Sequence, residues 1–347
     1  MTSAFAKELA QHISDNGPIT VADYMSACLQ HYYATVPAIG TAGDFTTAPE
    51  ISQMFGEMLG AWLVDIWMQS GRPDNAQYVE LGPGRGTLAA DVLRVFAGAG
   101  LKPPVHLVET SPEMRRLQKE KLQGHDVTWH DTFDTVPAGF SLIAANEFFD
   151  ALPVHQYIDD TERRVHWDQG RGFYADPVPK GEKIVESSPV SCAIADTLAR
   201  HVQNGGAALI IDYGYAAGEK GETLQAVSRH RYASVFDNPG AQDITAHVDF
   251  AALARVMSPY AFVLGPVGQG DFLQRLGMTQ RAEALTRHAN DSQKKDIQTA
   301  LFRLVAPSEM GQLFKVMGVL PKQNNLNPAG FADAEIQNNR HRQNSTG

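Results

Sequence analysis

The chain has 347 residues, 43% of them hydrophobic, which is enough apolar material to bury a substantial core in one elaborated domain or in a domain with large insertions. Its formal net charge of −10 argues against general binding to nucleic-acid phosphates, which requires a basic face, and suits a basic partner. The two cysteines, Cys28 and Cys192, lie far apart and indicate neither a disulfide framework nor a zinc site.

Membrane and metal signals are weak throughout the sequence. No apolar run approaches the roughly 20 residues that span a bilayer, and the N-terminal residues lack the features of a signal or transit peptide. We therefore expect a soluble protein of the bacterial cytoplasm without membrane insertion. The twelve histidines include no H-x-x-x-H helix face, so we expect no metal. The oligomeric state stays open, with a homodimer among the alternatives.

Residues 1–70 form the first predicted segment, which is mainly helical. Thr47 and Glu50 are spaced as a capping box at the start of a long helix. The apolar side chains that follow recur at helical period and indicate core packing, namely Ile51, Phe55, Met58, Leu59, Trp62, Leu63 and Ile66. Asp44 and Phe45 precede this helix in a loop, which we interpret as a lid over a cofactor or substrate.

Residues 78–87, YVELGPGRGT, predict a short strand, a glycine-rich turn and the start of a helix. Gly82, Gly84 and Gly86 allow a sharp turn and let a ligand approach the backbone closely. Such a turn lies at the carboxyl edge of a parallel sheet, where open α/β folds bind ligands. The turn therefore predicts a nucleotide-cofactor site, although residues 84–89 also satisfy the dinucleotide pattern G-x-G-x-x-A.

Glu80 separates the two cofactor classes. A carboxylate just before the turn repels a pyrophosphate but suits a ligand with an ammonium, a sulfonium and no phosphate. This favours S-adenosylmethionine over a nicotinamide dinucleotide.

Two later strands add candidate contacts. Residues 105–108 lead to Glu109, which we expect to accept the ribose hydroxyls, and a strand at about 127–129 leads to Asp131, which could accept from the adenine amino group or close a loop turn.

A fourth strand at 141–145 runs into Asn146, Glu147 and Asp150. This strand of a doubly wound sheet ends beside the reactive atom of the cofactor, so we place Asn146 among the cofactor-binding residues. Glu147 and Asp150 supply two carboxylates, which suit a planar guanidinium, and we predict them as the catalytic pair. An alternative is that Asp150 caps a helix while Glu147 lies in solvent.

The remaining chain completes a doubly wound, Rossmann-like α/β fold with additions. We expect a core over 71–322 that includes a hairpin region at about 151–200, a strand at 207–211 and a helical region at 270–320, followed by a loose tail at 323–347. His247 is a candidate base or substrate contact, although a lone histidine is more often a structural hydrogen-bonding group.

Several motifs together resemble the MidA-type family of class I S-adenosylmethionine-dependent methyltransferases over about residues 18–320. The matching segments are GTAGDFTTAPEISQ at 40–53, ELGPGRGT at 80–87, NEFFDALP at 146–153, GG at 205–206, IDYG at 211–214, PG at 239–240, DITAHVDF at 243–250 and MGQLFK at 310–315.

This resemblance implies a protein arginine methyltransferase. Mitochondrial members of the family dimethylate an arginine of a respiratory complex I core subunit and so assist complex I assembly. The expected partner is therefore a protein substrate, which in a bacterium need not be the same subunit. Two alternatives remain from the sequence, a non-catalytic assembly factor that retains the fold and, with less support, a nicotinamide-dependent oxidoreductase.

Overall fold

The computed structural model describes residues 3–35, 47–217, 221–228 and 231–332. These residues divide into two compact units, each built from three separate segments of the chain. Unit 1 draws on Met1–Thr46, Phe149–Ala193 and Ala217–Asp249, and unit 2 on Thr47–Phe148, Ile194–Ala216 and Phe250–Gly347. The sequence predicts that the core begins after residue 70 and ends at residue 322, and these boundaries stay a prediction.

The helices of the described chain are, in order, α1 (Ala4–Asn16), α2 (Val21–Thr35), α3 (Ala48–Ile51), α4 (Gln53–Gln69), α5 (Thr87–Gly98), α6 (Pro112–Lys121), α7 (Pro189–His201), α8 (Phe250–Met257), α9 (Gln269–Arg275), α10 (Met278–Thr286), α11 (Asp291–Val305) and α12 (Met310–Leu313). Across the ranges that the structure describes, every one of them is too short or too polar to cross a membrane.

The strands of the same residues are β1 (Ile19–Thr20), β2 (Ala76–Leu81), β3 (Val105–Val108), β4 (Val127–His130), β5 (Phe140–Asn146), β6 (His155–Ile158), β7 (Thr161–Glu162), β8 (Arg164–Asp168), β9 (Gly172–Asp176), β10 (Ile184–Ser187), β11 (Gly206–Tyr215), β12 (Gln225–Ser228), β13 (Arg231–Ala233), β14 (Asp243–Thr245), β15 (Val248–Asp249), β16 (Ala261–Gly268) and β17 (Phe314–Pro321).

Unit 2 contains a sheet in the order β16-β17-β11-β5-β2-β3-β4. The pairs from β11 to β4 are parallel, whereas β17 runs antiparallel to both β11 and β16. Leu81 pairs with Val108 on one side and Ala145 on the other, and Val108 pairs with His130. The carboxyl ends of β2, β3, β4 and β5 therefore lie side by side, which confirms the predicted α/β sheet.

The central strands of this sheet are buried on both faces. All residues of β2, β5 and β11 are buried, as expected for parallel strands covered by helices. Large apolar side chains from the strands and from α4 fill the core, including Tyr78, Leu142, Leu209, Phe55 and Trp62. The apolar stripe predicted after residue 50 is thus core packing.

The predicted capping box at Thr47 is wrong. Thr47 makes no side-chain cap, and the Glu50 carboxylate accepts a hydrogen bond from the Thr87 hydroxyl at 2.6 Å instead. The helix is also interrupted at Ser52, whose backbone is extended at φ −164°. The Ser52 hydroxyl accepts from the Met54 N–H at 3.2 Å and so caps a second helix, α4.

The helix start predicted after the glycine turn is confirmed, and a second helix of unit 2 has a clear cap. Gly86 precedes α5 in the left-handed region at φ +77°, and Ser111 caps α6 by accepting from the Met114 N–H, with Pro112 in the first turn. The prediction of helix through residue 320 is wrong beyond Leu313. Residues 314–321 form β17, since they carry a run of buried apolar side chains that fits a covered strand.

Residues 323–332 differ from the expected loose tail. Leu326 and Phe331 are buried in the core of unit 2, and the Phe331 ring lies 5.4 Å from that of Phe272. Burial of these two apolar side chains helps to hold the segment against the core. Residues 333–347 lie outside the described residues.

Unit 1 combines α1 and α2 with three small antiparallel sheets, β1-β8-β9, β10-β6-β7 and β13-β12-β14. The hairpin region predicted at about 151–200 contains strands, but β6 and β8, at the alternating segments 154–158 and 164–167, belong to different sheets. Strand β6 pairs with β7 across a short turn and with β10, whereas β8 pairs with β9 across a short turn and with β1. The apolar core of unit 1 includes Leu9, Ile13, Met25, Val165 and Ile244.

Candidate active site

The candidate cofactor residues of unit 2 gather at the carboxyl edge of its sheet. Glu80 is the penultimate residue of β2, Glu109 directly follows β3, Asp131 directly follows β4, and Asn146 ends β5. Because these strands are parallel and their ends are in register, their terminal side chains share one edge. The spatial grouping that the sequence predicts is therefore present.

The turn after β2 is built on glycines with left-handed backbones. Gly82, Gly84 and Gly86 have φ values of +62°, +50° and +77°, which side chains with a Cβ rarely adopt. A Cβ on Gly82 would lie 2.9 Å from Cδ2 of Phe148. The turn thus keeps a narrow space at the sheet edge that any larger residue would fill.

Glu80 is almost fully buried, and the Tyr78 hydroxyl donates to its Oε2 at 2.7 Å. Burial raises the pKa of Glu80 to about 7, although the hydrogen bond from Tyr78 acts in the opposite direction. A positive group bound nearby would favour the ionised form. Glu80 is therefore suited to hold a cationic ligand against the glycine turn.

Glu109 is held by donors from its own loop and from α6. Its Oε1 accepts from the Ser111 N–H at 2.8 Å, and its Oε2 accepts from Nε2 of Gln118 at 3.2 Å. Burial raises its pKa, while these hydrogen bonds lower it. The carboxylate is fixed in orientation before any ligand arrives, as a ribose contact requires.

Asp131 is the most exposed of the candidates. Its side chain is 80% exposed, and its Oδ1 lies 2.6 Å from the guanidinium of Arg115. Arg115 also donates to the backbone carbonyl of Glu109. The ion pair therefore links the ends of β3 and β4, and the adenine contact predicted for Asp131 stays a prediction.

Asn146 and Glu147 form a connected pair at the end of β5. Nδ2 of Asn146 donates to Oε1 of Glu147 at 3.1 Å, and the same oxygen accepts from the Ala48 N–H at 3.0 Å. Glu147 adopts φ +51°, a strained backbone for a residue with a side chain. The carboxylate thus contacts the first residue of α3 and is not simply in solvent.

Asp150 and His247 belong to unit 1. Asp150 is buried, and its backbone carbonyl accepts from the Ala246 N–H at 3.0 Å. Burial, and then the charges of Asp243 and Asp150, raise the pKa of Tyr33, so both carboxylates lie near that hydroxyl. The backbone N–H of His247 donates to the Thr223 hydroxyl at 2.9 Å.

The two remaining candidates, Asp44 and Phe45, lie outside the described residues.

Two polar side chains near this edge, Asp212 and Gln118, were not identified from the sequence. Asp212 is fully buried within β11, where its Oδ2 accepts from the Phe148 N–H at 3.2 Å. Gln118 is also fully buried. The sequence pattern could have identified Asp212, because it is a charged residue inside the apolar run at 207–213. It could not have identified Gln118, because the contacts of Gln118 are distant in sequence.

These residues fit a cofactor that has a positive group and a ribose. The glycines of the turn hold left-handed backbones, Glu80 offers a buried carboxyl, and Glu109 is preoriented. Oδ1 of Asn146 is buried without a hydrogen-bond partner among the described residues, which is costly unless a ligand donates to it. The polar groups of this edge therefore match those of S-adenosylmethionine.

Comparison with known proteins agrees with this geometry. Residues 58–180 and 173–267 match a family model described as "Putative S-adenosyl-L-methionine-dependent methyltransferase". Among relatives, the chain is 36% identical over 374 residues to the mitochondrial protein arginine methyltransferase NDUFAF7 of Xenopus tropicalis, covering 92% of this chain and 86% of that protein. The human protein of that name is 35% identical, with 91% and 83% covered.

A solved structure shows the same fold. The crystal structure of a Burkholderia thailandensis protein bound to S-adenosyl-homocysteine superposes with a TM-score of 0.83 at 28% identity, covering 94% of each chain. A native crystal structure from the same organism gives a TM-score of 0.80, also at 28% identity. Motifs, relatives and fold agree that this chain belongs to the MidA-type family of S-adenosylmethionine-dependent methyltransferases.

Proposed function

We propose that this enzyme transfers a methyl group from S-adenosylmethionine to an arginine side chain of a protein substrate. The observation that carries the proposal is the Glu147 carboxylate, which lies at the end of β5 beside Asn146. The names of the NDUFAF7 relatives support arginine as the acceptor. The family resemblance makes a respiratory complex I core subunit the first substrate to test, and we keep the bacterial cytoplasm as the expected compartment.

Each candidate residue has a distinct part in holding the cofactor. Glu80 and the glycine turn would hold the methionine portion, Glu109 the ribose, and Asp131 the adenine. Asn146 would accept a donor through Oδ1. When bound, S-adenosylmethionine supplies a methyl group already activated by its sulfonium, so the protein chiefly aligns the reactants and excludes water.

Glu147 would orient the acceptor. A carboxylate pairs with a guanidinium through parallel hydrogen bonds and localises its positive charge toward the paired nitrogens. The opposite nitrogen then keeps more electron density for attack. Asp150 is the proposed second acid, and His247, Asp44 and Phe45 are the proposed substrate contacts, all on sequence grounds.

The contact between Glu147 and Ala48 favours a second candidate function. A carboxylate that anchors the start of α3 has a structural reason to be present, as it would in a non-catalytic assembly factor. The two functions differ in whether the negative charge of Glu147 is needed. Anchoring needs only an oxygen that accepts a hydrogen bond.

Replacing Glu147 by Gln and by Ala separates these roles. Glu147→Gln keeps an acceptor for the Ala48 N–H but removes the charge, whereas Glu147→Ala removes both. We expect Glu147→Gln to bind S-adenosyl-homocysteine and unfold like wild type, and to lose methyl transfer by about 100-fold or more. Methylation would be measured by mass spectrometry on an arginine-bearing segment of a complex I core subunit and on an extract of cells lacking the enzyme.

Two results would contradict the proposal. Wild-type transfer rates in Glu147→Gln would leave Glu147 a structural anchor only. A wild-type protein that binds S-adenosyl-homocysteine but modifies no arginine in the peptide or the extract would favour the assembly factor.

A further inference from the structure

Gln118 lies on α6 and is fully buried, yet each polar atom of its side chain has a partner at the cofactor edge. Its Nε2 donates to the carbonyl of Gly84 at 2.7 Å and to Oε2 of Glu109 at 3.2 Å. Its Oε1 accepts from Nε1 of Trp129 at 2.8 Å. One amide group thereby joins the turn after β2, the residue after β3 and strand β4.

The chemistry of these partners permits only one orientation of the amide. The Trp129 indole N–H is a donor and never an acceptor, so it must face the amide oxygen. The Gly84 carbonyl only accepts, and Oε2 of Glu109 accepts at this contact, so both face the amide nitrogen. Reversing the amide would oppose like groups at all three contacts.

The turn also packs directly against this side chain. A Cβ on Gly86 would lie 3.5 Å from Cγ of Gln118 and 3.6 Å from its Cα. Helix α6 therefore contacts the last glycine of the turn while its glutamine binds the carbonyl of the middle one. The position of the turn depends on this residue through both packing and hydrogen bonding.

We propose that Gln118 is a positioning residue that sets the glycine turn and the Glu109 carboxylate in a fixed relation, with Trp129 locking its orientation. This inference rests on the proposed role of Glu109 as the ribose contact. It implies that contacts to the methionine portion and to the ribose of S-adenosylmethionine are coupled through one buried amide.

Gln118→Glu is the sharpest test because it preserves shape and replaces the donor nitrogen by an oxygen that carries negative charge when ionised. At pH 8 the new carboxylate would oppose the Gly84 carbonyl and Glu109, and we expect calorimetric affinity for S-adenosyl-homocysteine to fall by about 10- to 150-fold. As the pH falls, the new acid takes up a proton and donates again. The ratio of the variant and wild-type dissociation constants should therefore shrink as pH falls.

Two further variants separate positioning from general stability. Trp129→Phe removes the indole N–H together with part of the ring volume, and we expect a loss of affinity of about fivefold or less. Gln118→Met removes all three hydrogen bonds at similar volume. If Gln118 acts through Glu109, its effect on affinity should be much smaller in a Glu109→Gln background than in wild type. Unfolding midpoints of every variant are measured without ligand.

The outcomes are distinguishable. Wild-type affinity in Gln118→Glu at every pH, or full additivity of Gln118→Met and Glu109→Gln, would overturn the positioning role while leaving the cofactor site intact. A wild-type protein unable to bind S-adenosyl-homocysteine would refute the proposed cofactor site, and this inference with it. No readout here requires arginine methylation, so failure to find a methylated substrate would affect only the proposed acceptor.

Discussion

Glu80 carries a buried carboxyl whose pKa, about 7, lies within the physiological range. A ligand with a positive group binds the ionised form better, so affinity should rise with pH as Glu80 loses its proton. We expect the affinity for S-adenosylmethionine to increase by about tenfold between pH 6 and pH 8, since the ionised fraction changes by about that factor. Calorimetry across this range measures it.

Variants at the same contact provide the control for Glu80. Glu80→Gln should bind more weakly and lose most of the pH dependence. Tyr78→Phe removes the hydrogen bond that lowers the pKa of Glu80, so the midpoint should move to higher pH. A pH dependence that persists unchanged in Glu80→Gln would assign it to another group.

Gly82 faces Phe148 across a space too small for a side chain. Gly82→Ala would place a Cβ 2.9 Å from the Phe148 ring on a backbone at φ +62°. We expect cofactor affinity to fall by at least about tenfold, or about 1.4 kcal/mol, because the turn must shift. The calorimetric measurement used for Glu80 applies here also.

Gly71→Ala is the matched control for Gly82→Ala. Gly71 also has a left-handed backbone, at φ +84°, but a Cβ there would contact nothing within 4 Å. The Gly71→Ala variant should lose about 1–2 kcal/mol of stability through backbone strain and keep the cofactor affinity of wild type. Equal losses of affinity in both variants would mean that strain alone, and not the space beside Phe148, explains the effect.

The positions of candidate site residues were predictable where the chain places them at the end of a strand or directly after it. Glu80, Glu109 and Asn146 follow apolar runs, and parallel strands in register bring such positions together. Gln118 was not predictable, because it is one polar residue in a polar helix and its partners lie up to 34 residues away. Local pattern contains no information about such distant contacts.

Helices α4 and α5 show how small residues set the spacing of elements. A Cβ on Gly56 would lie 2.5 Å from Cβ of Asp91, so the helices cannot keep their distance if the glycine is replaced. We expect Gly56→Ala to destabilise the protein by about 1–3 kcal/mol, despite the better helix propensity of alanine. Urea unfolding measures the change.

Gly98, the last residue of α5, is the natural comparison. A Cβ there would contact nothing within 4 Å, and the residue does not have a left-handed backbone. Gly98→Ala should therefore be neutral or stabilising by up to about 1 kcal/mol. If both variants shift stability in the same direction, helix spacing is not the property being measured.

At the level of elements, periodicity predicted most of the sheet and failed where two signals compete. The apolar runs that end near Glu80 and Glu109 were recognisable as strands with following helices. Ser52 interrupts an apolar stripe of helical period because its hydroxyl begins a new helix. Residues 314–321 follow several helices, and their continuous apolar run fits a buried helix as well as a strand.

Segment 323–332 ties the end of the described chain to the core of unit 2. The Trp62 indole donates to the Ala329 carbonyl at 3.0 Å, and Phe331 packs on Phe272. Truncation after residue 322 removes two buried apolar side chains, Leu326 and Phe331. We expect it to cost at least about 3 kcal/mol of stability in urea unfolding, from lost burial alone.

A second truncated protein, which ends at residue 332, keeps this segment and provides the comparison. The difference in unfolding free energy between the two truncated proteins measures what residues 323–332 contribute. Identical stability would mean that the contacts of Leu326 and Phe331 add nothing. Phe331→Ala should reproduce part of the loss by leaving a cavity beside Phe272.

Strand β17 lies between β11 and β16, although it is encoded after both of them. During synthesis on the ribosome, residues 208–213 therefore emerge about a hundred residues before their antiparallel partner exists. An apolar strand with one open edge can pair with other nascent chains. We expect the nascent protein to be prone to mispairing over this interval, so slow translation between codons 216 and 313 should lower the yield of folded enzyme, measured as soluble protein.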